Sequence, residues 1–209
     1  MKYKHIIWDW NGTLLNDTWL SVEIINSMLA CRGLKCIDCD KYREIFDFPV
    51  YEYYARLGMD YCKERFEDIS DQFTNQYNKR WRECSLQEGA REVLQAVSFT
   101  GATQSVLSAS HIDILQENVE YYKLDKYLIK LVGLDHSHAD SKVGKGRQWI
   151  KELGLAPEKV LLIGDTVHDF EVANAIGVDC MLVSHGHHSA GKLERCGVKV
   201  VESLLSILE

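Results

Sequence analysis

Short apolar runs recur along the chain, and each of them stops at a polar residue or a glycine. The runs cover residues 3–8, 105–107, 127–132, 160–163 and 180–183. Strands that are buried on both faces of a parallel sheet read as near-continuous apolar runs of this kind. The pattern therefore predicts a parallel sheet built from these five segments.

Helical patterns lie between the later runs. Apolar residues recur at helical spacing over residues 111–122, 143–153 and 167–176, and Gly154 and Gly177 follow the last two of these segments. A glycine just beyond the last periodic residue is a common helix stop. Alternating strands and helices are typical of an α/β fold with right-handed crossover connections. We therefore predict the α/β class.

Residues 16–85 interrupt this alternation. The segment contains no convincing strand and is rich in aromatic and charged residues at helical spacing, and Phe48-Pro49 marks a break between two of its helices. Residues 88–90 then open a helix that leads back to the second core strand. We predict an inserted α-helical domain over residues 16–85 and a core domain made of residues 1–15 and 86–209.

Composition narrows the classes of partner. The 209 residues are 46% hydrophobic, which is enough for a core, and 24 Lys+Arg against 31 Asp+Glu leave a formal net charge of -7. This balance argues against a nucleic-acid partner but permits a small anion held by a metal and a few cations. No run is long enough to span a bilayer, and no signal-type segment is present. We expect a cytoplasmic protein with no membrane partner, as a monomer or homodimer.

Two clusters of metal-binding residue types are weaker signals. Cys36-x-x-Cys39 has no second pair to complete a zinc site, so the seven cysteines are interpreted as reduced thiols. The histidine-rich residues 185–188 follow a predicted strand and are interpreted as a polar loop rather than a metal site. Neither cluster changes the predicted function.

Stronger candidates stand where the apolar runs end. Asp9, Ser108 and Asp165 each follow one run, and Asp169 comes four residues after Asp165. In an open parallel sheet, ligands bind beyond the carboxyl ends of the strands, so these side chains should converge. Carboxylates in proximity repel each other unless a cation compensates, and oxygen ligands suit Mg²⁺. The sequence predicts a magnesium site at this edge.

Two segments also resemble motifs of the haloacid dehalogenase (HAD) superfamily. Residues 6–15, IIWDWNGTLL, resemble the motif hhhDxDGT, and residues 160–169, VLLIGDTVHD, resemble hhhhGDxxxD. Ser108 after an apolar strand is similar to the second motif, and Lys142 suits the spacing of the third motif better than Lys145 does. The inserted helical segment is similar to the cap of the phosphoglycolate-phosphatase-like branch.

The resemblance implies a Rossmann-like HAD core and a Mg²⁺-dependent phosphatase that hydrolyses a small phosphorylated metabolite. Asp9 would be the nucleophile and would form an aspartyl-phosphate. Mg²⁺ would be bound by Asp9, Asp165 and the main-chain carbonyl of Asn11, with Asp169 steadying the metal waters. The implied phosphate-binding residues are Gly12, Thr13, Ser108, Ala109 and Lys142. Candidates to select the substrate from the cap are Tyr51, Tyr53, Tyr54 and Arg56.

Asn11 departs from the family pattern. An aspartate normally stands there, protonates the leaving oxygen and then activates water. Such general acid–base catalysis raises the reaction rate roughly 10²–10⁴-fold. Three interpretations stay open: a phosphatase for substrates with good leaving groups, an acid supplied by another group such as a cap residue or His168, or a catalytically impaired module that binds phosphorylated ligands. Haloacid dehalogenation is less favoured, because those enzymes resemble DxYGT and lack the GDxxxD pattern.

Overall fold

The computed structural model describes residues 2–135 and 141–208, and within them the alternation of strands and helices predicted above is present. The strands are β1 (His5–Trp8), β2 (Leu15–Asn16), β3 (Ser85–Leu86), β4 (Thr103–His111), β5 (Lys130–Leu134), β6 (Val160–Gly164), β7 (Asp179–Val183) and β8 (Lys199–Val201). The helices are α1 (Thr18–Cys31), α2 (Cys39–Ile45), α3 (Val50–Arg56), α4 (Phe66–Arg80), α5 (Ala90–Phe99), α6 (Ile112–Tyr121), α7 (Lys142–Leu153), α8 (Val167–Ile176) and α9 (Ala190–Glu194). Short 3₁₀ turns cover Trp81–Glu83, Asp125–Tyr127, Pro157–Lys159 and Leu205–Ile207.

The main sheet has six strands in the order β5-β4-β1-β6-β7-β8, and all of its pairings are parallel. All four residues of β1 are buried, which agrees with the apolar run from Ile6 to Trp8, and the polar side chain of His5 is buried with them. Successive side chains of a strand point to opposite faces. Ile6 and Trp8 accordingly pack in one hydrophobic layer and Ile7 in the other, where Trp149 of α7 and Val172 of α8 cover it. The α/β prediction is confirmed.

Two strand predictions need correction, and one strand of the main sheet was not predicted. The run at residues 105–107 is the middle of a longer strand, β4, whose pairing with β5 shifts register between Leu107 and His111. Ser108 therefore lies at this irregularity and not after the strand. The run at residues 127–132 begins in a 3₁₀ turn, so β5 starts only at Lys130. The edge strand β8 was not predicted, because three residues beside a charged segment give too little apolar pattern.

The segment over residues 16–85 holds helices α1 to α4 and contributes no strand to the main sheet among the described residues. At its two ends β2 and β3 form a separate antiparallel pair, with Asn16 opposite Ser85. The chain therefore leaves the core and returns to it at neighbouring positions. The division into two domains at these residues stays a prediction.

Two further expectations concern the whole chain. Among the described residues, no helix has the length and apolar character needed to cross a membrane. The seven cysteines are all free thiols, and Cys84 is the buried one. This agrees with their interpretation as unpaired thiols.

Candidate active site

Three buried carboxylates converge at the carboxyl ends of β1 and β6. Asp9 follows β1, Asp165 follows β6, and Asp169 lies in the first turn of α8. One oxygen from each lies within 4.8 Å of the others. The α8 N-terminus fixes Asp169 through a capping box, in which the Thr166 N–H donates to Asp169 Oδ2 at 3.0 Å and the Asp169 N–H donates to Thr166 Oγ1 at 3.2 Å. Residues distant in sequence are thus brought into one acidic cluster.

Lys142, the first residue of α7, lies between two of these carboxylates. Its Nζ atom donates to Asp9 Oδ1 and to Asp169 Oδ1, each at 2.5 Å, and the residue is only 5% exposed. Lys145, one turn later, forms its ion pair with Asp135 instead. Burial alone would lower the pKa of Lys142, but Asp169 and Asp9 raise it. The structure therefore brings Lys142, and not Lys145, to the acidic cluster.

The cluster has more negative charge than Lys142 can balance. Burial raises the pKa of Asp9 to about 8 and that of Asp165 to about 6, although Lys142 and His187 respectively oppose these shifts. Burial also disfavours the charged form of Asp169, yet Lys142 keeps its pKa below the ordinary value. Oxygen donors with surplus negative charge suit a hard divalent cation such as Mg²⁺. The residues present fit that ion.

Thr13 and Gly12 shape the loop beneath the carboxylates. Thr13 Oγ1 donates to Asp165 Oδ1 at 2.8 Å and lies 3.3 Å from Asp9 Oδ2. Gly12 has a φ of 79°, and a Cβ atom there would overlap the Asp165 carboxylate and the His187 ring. The Gly12 N–H donates to Leu15 O and to Asp17 Oδ1, so this predicted phosphate donor is already engaged. Glycine is required here by space and backbone conformation.

The Asn11 side chain is fully hydrogen-bonded. Its Nδ2 atom donates to Asp17 Oδ2 at 2.8 Å and to the Tyr77 hydroxyl at 2.7 Å, and its Oδ1 atom accepts from Ser110 Oγ at 2.8 Å. Tyr77 comes from α4 and Asp17 immediately precedes α1. An amide matches this set because it both donates and accepts. The sequence did not identify these three partners.

Asp17 and His187 form a buried pair beside Asn11. Asp17 is 1% exposed, and its Oδ1 atom lies 3.2 Å from His187 Nε2. Burial would lower the pKa of His187, but Asp17 raises it to about 9, so the imidazole is protonated at neutral pH. Burial would raise the pKa of Asp17, but His187 lowers it. The His187 backbone N–H donates to Asp165 Oδ2 at 2.6 Å.

The histidine-rich loop at residues 185–188 therefore belongs to the site, and its interpretation as a polar loop was incomplete. It follows β7, so the same rule that located Asp165 after β6 also places this loop at the carboxyl edge of the sheet. His187 reaches the site through its main chain and its ring, and its Nδ1 atom lies 2.9 Å from the Tyr42 hydroxyl. The position after a strand was a usable signal in the sequence.

A cavity of about 380 Å³ opens above the carboxylates. Its inner end is lined by Asp9, Asn11, Ser108, Ala109 and Lys142. Its outer wall is mostly aromatic and comes from residues 42–77, including Tyr53 and Tyr54. The other two residues suggested for substrate selection do not line the cavity: Tyr51 is exposed and stacks on Tyr61, and Arg56 is exposed.

This geometry has a counterpart among known proteins. Residues 6–183 match the profile of the haloacid dehalogenase-like hydrolase family. The chain belongs to this family. It is therefore a hydrolase, and the two motifs that carried the resemblance hold the buried carboxylates.

Relatives of this HAD-like hydrolase cover nearly its whole length. A 5'-nucleotidase of Pseudomonas aeruginosa is 25% identical over 203 residues, which are 92% of this chain and 88% of the relative. An N-acetylmuramic acid 6-phosphate phosphatase of Pseudomonas putida is 25% identical over 209 residues, with 96% and 92% covered. A HAD-like hydrolase structure from Streptococcus pneumoniae superposes with a TM-score of 0.85 at 17% identity, covering 99% of this chain and 97% of that one. The last likeness supports the fold.

Proposed function

We propose that this HAD-like hydrolase is a Mg²⁺-dependent phosphatase of small phosphorylated compounds and that Asp9 is its nucleophile. The observation that carries the proposal is the contact of Lys142 with Asp9 and Asp169 at the floor of the cavity. A phosphoryl group there would meet a nucleophile, a cation and a metal site together. The two curated relatives are named for different phosphate compounds, so they support the reaction class more than any one substrate.

The residues have distinct roles in this proposal. Mg²⁺ would be held by Asp9, Asp165 and the Asn11 main-chain carbonyl, with Asp169 steadying its waters, and it would neutralise charge on the phosphoryl oxygens. Asp9 attacks phosphorus and becomes an aspartyl-phosphate. The phosphoryl oxygens are held by Lys142 and Ser108 and by main-chain donors near Thr13 and Ala109.

The helical segment is the proposed source of specificity. The phosphoryl-binding end of the cavity is built from core loops, whereas residues 42–77 supply most of the outer wall. A leaving group extending from the phosphorus would therefore contact the helical segment. We assign to residues 16–85 the role of a cap that selects the substrate.

A second candidate function rests on Asn11. Because its amide cannot exchange a proton near neutral pH and is already hydrogen-bonded, the site lacks the usual acid at this position. The alternative is an impaired module that binds phosphorylated ligands or stays phosphorylated on Asp9. The family match and the phosphatase relatives favour turnover over this alternative.

Phosphate release from acetyl phosphate and 4-nitrophenyl phosphate, with and without Mg²⁺, tests the proposal. We expect release to require Mg²⁺, to disappear in Asp9→Asn and to persist in Asp71→Asn, a matched change at an exposed carboxylate of α4. Mass spectrometry of acid-quenched protein should show phosphate on Asp9. Activity that survives Asp9→Asn or chelation would contradict the mechanism, and stable phospho-Asp9 without release would favour the binding module.

A further inference from the structure

The outer wall of the cavity is an assembly of aromatic rings. The side chains of Phe46, Phe48 and Tyr53 pack on one another, with ring centroids 5.4 Å apart for Phe46 and Phe48 and 5.2 Å apart for Phe46 and Tyr53. Phe73 and Tyr77 are stacked at 6.1 Å with an interplanar angle of 18°. All five line the cavity. Such rings favour a flat apolar ligand through offset or edge-to-face contacts.

The same wall offers little charge to a second anionic group. Among the described residues that line the cavity, Lys142 is the sole lysine and no arginine is present. The Lys142 ammonium already contacts Asp9 and Asp169. Three histidine rings line the cavity, and each lies beside a carboxylate: His187 beside Asp17, His168 beside Glu171 and His111 beside Asp113. A leaving group with its own carboxylate or second phosphate would therefore lose hydration without gaining a free cation.

Asn11 sets a separate, chemical condition on the leaving group. Both Nδ2 hydrogens are directed to Asp17 and Tyr77, and the amide has no proton to give. Residue 11 therefore cannot protonate the leaving oxygen, and a leaving group that departs with its electron pair and negative charge needs no such proton. His168, the other acid suggested by the sequence, also lines the cavity, and its Nδ1 atom lies 3.4 Å from Glu171 Oε2. A phenol with a pKa near that of tyrosine, about 10, departs as an anion far more readily than an alcohol whose pKa is close to that of water, about 15.7.

From these independent observations, and resting on the proposed phosphatase function, we infer that the substrate class is aryl phosphate monoesters with an uncharged ring. The ring occupies the aromatic wall and the phosphoryl group meets Asp9 and Lys142. Residue 11 and the cap segment then select the same kind of leaving group, one by its acidity and the other by its shape.

The reaction balances without an enzymatic acid. An Asp9 carboxylate oxygen forms a bond to phosphorus as the bond from phosphorus to the aryl oxygen breaks, and the phenolate leaves with the electron pair and takes a proton from solvent. Water then attacks the phosphorus of the aspartyl-phosphate, its proton passes to the departing phosphate, and the Asp9 carboxylate is restored. No oxidant or co-substrate is needed.

Four substrates separate the preference for an aromatic ring from the requirement for an acidic leaving group. Phenyl phosphate has the ring and the acidic leaving group, benzyl phosphate and adenosine 5'-monophosphate have a ring but an alkoxide leaving group, and acetyl phosphate has a good leaving group without a ring. With wild-type protein and Mg²⁺, we expect kcat/KM for phenyl phosphate to exceed that for benzyl phosphate and adenosine 5'-monophosphate at least 100-fold, since a missing general acid is worth about 10²–10⁴-fold.

Variants of the wall test the ring contact. Phe73→Ala should lower the ratio of kcat/KM for phenyl phosphate to that for acetyl phosphate by about 3–10-fold, because one aromatic contact is removed. Phe99→Ala is the matched control, since Phe99 is 81% exposed on α5 and lies outside the cavity, and it should leave the ratio unchanged.

The outcomes are distinct. Benzyl phosphate or adenosine 5'-monophosphate cleaved within threefold of phenyl phosphate would overturn the aryl substrate class while the phosphatase function stands. An unchanged ratio in Phe73→Ala would also overturn it. Failure of all four compounds to release phosphate, acetyl phosphate included, would reject the phosphatase function and the inference with it.

Discussion

The substitution Asn11→Asp restores the acid of the family pattern. The unfolding free energy that it should lose follows from the position of Asp17. Asn11 Nδ2 lies 2.8 Å from Asp17 Oδ2, and Asp17 is almost fully buried. In Asn11→Asp a carboxylate oxygen replaces this N–H donor, so a half-buried carboxylate faces the buried carboxylate of Asp17. Two such groups retain one proton between them and the pKa of the pair is strongly raised.

The magnitude follows from this retained proton. In the unfolded chain both carboxyl groups ionise with a pKa near 3.9, so holding one proton at pH 7, about three pH units higher, costs at most about 4 kcal/mol. Because the folded state of the variant binds the extra proton, the cost grows as the pH rises above about 4. We expect Asn11→Asp to lose about 2–4 kcal/mol of unfolding free energy at pH 7 and about 1.5 kcal/mol or less at pH 5.

Urea denaturation without divalent cations measures this cost, and a reciprocal exchange isolates the pair. Asn11→Asp/Asp17→Asn keeps one carboxylate and one amide in contact, so it should recover most of the loss, with a coupling of about 2–3 kcal/mol relative to the single variants. A coupling below about 0.5 kcal/mol, or a cost that is equal at pH 5 and pH 7, would refute the reasoning. In the exchanged protein an acid stands at position 11, so benzyl phosphate should gain about 10²-fold in kcat/KM.

Three further predictions concern other buried groups. Without divalent cations, Lys142→Met should lower the free energy of unfolding by about 3–5 kcal/mol, since it leaves the Asp9 and Asp169 carboxylates without their buried cation. In thermal melts, saturating Mg²⁺ should raise the melting temperature of this variant more than that of the wild type. An equal rise in both proteins would contradict the proposed charge balance. Burial lowers the pKa of His5 to about 4, so the folded state resists its protonation and stability falls as the pH drops from about 6.5 towards 4. Between pH 6.5 and 5, urea denaturation should show that the wild type loses about 2 kcal/mol more unfolding free energy than His5→Gln. Parallel profiles of unfolding free energy against pH for the two proteins would refute this. The buried Tyr53 hydroxyl has no hydrogen-bond partner among the described residues, so Tyr53→Phe should be neutral or stabilising by about 1 kcal/mol in the same assay, and a loss of more than about 1 kcal/mol would show that the hydroxyl is satisfied.

The sequence predicted best the residues whose positions depend on the strands. Asp9 and Asp165 end apolar runs, and the edge rule for parallel sheets brings them together without knowledge of packing. Asp169 follows because its place in the first turn of α8 is set by local spacing. These three carboxylates form the acidic cluster of the structure.

The partners of Asn11 could not be predicted in the same way. Tyr77 lies 66 residues away on α4, and its hydroxyl reaches residue 11 only through the tertiary packing that brings α4 beside that residue. Ser110 reaches it through the register shift in β4, which no periodicity in the sequence reveals. Such contacts are set by tertiary packing rather than by local pattern.

The antiparallel pairing of Asn16 with Ser85 has a consequence for how such enzymes diversify. Because the two ends of the helical segment are neighbours, its length can change with little entropic cost, about 0.6 kcal/mol for each doubling of a flexible connection. Asp17 and Tyr77, however, lie within residues 16–85, whereas Asn11 precedes that segment. A chain that acquired a different set of helices here would keep its acidic cluster but lose the partners of position 11, so the residue at that position and the helices are expected to change together.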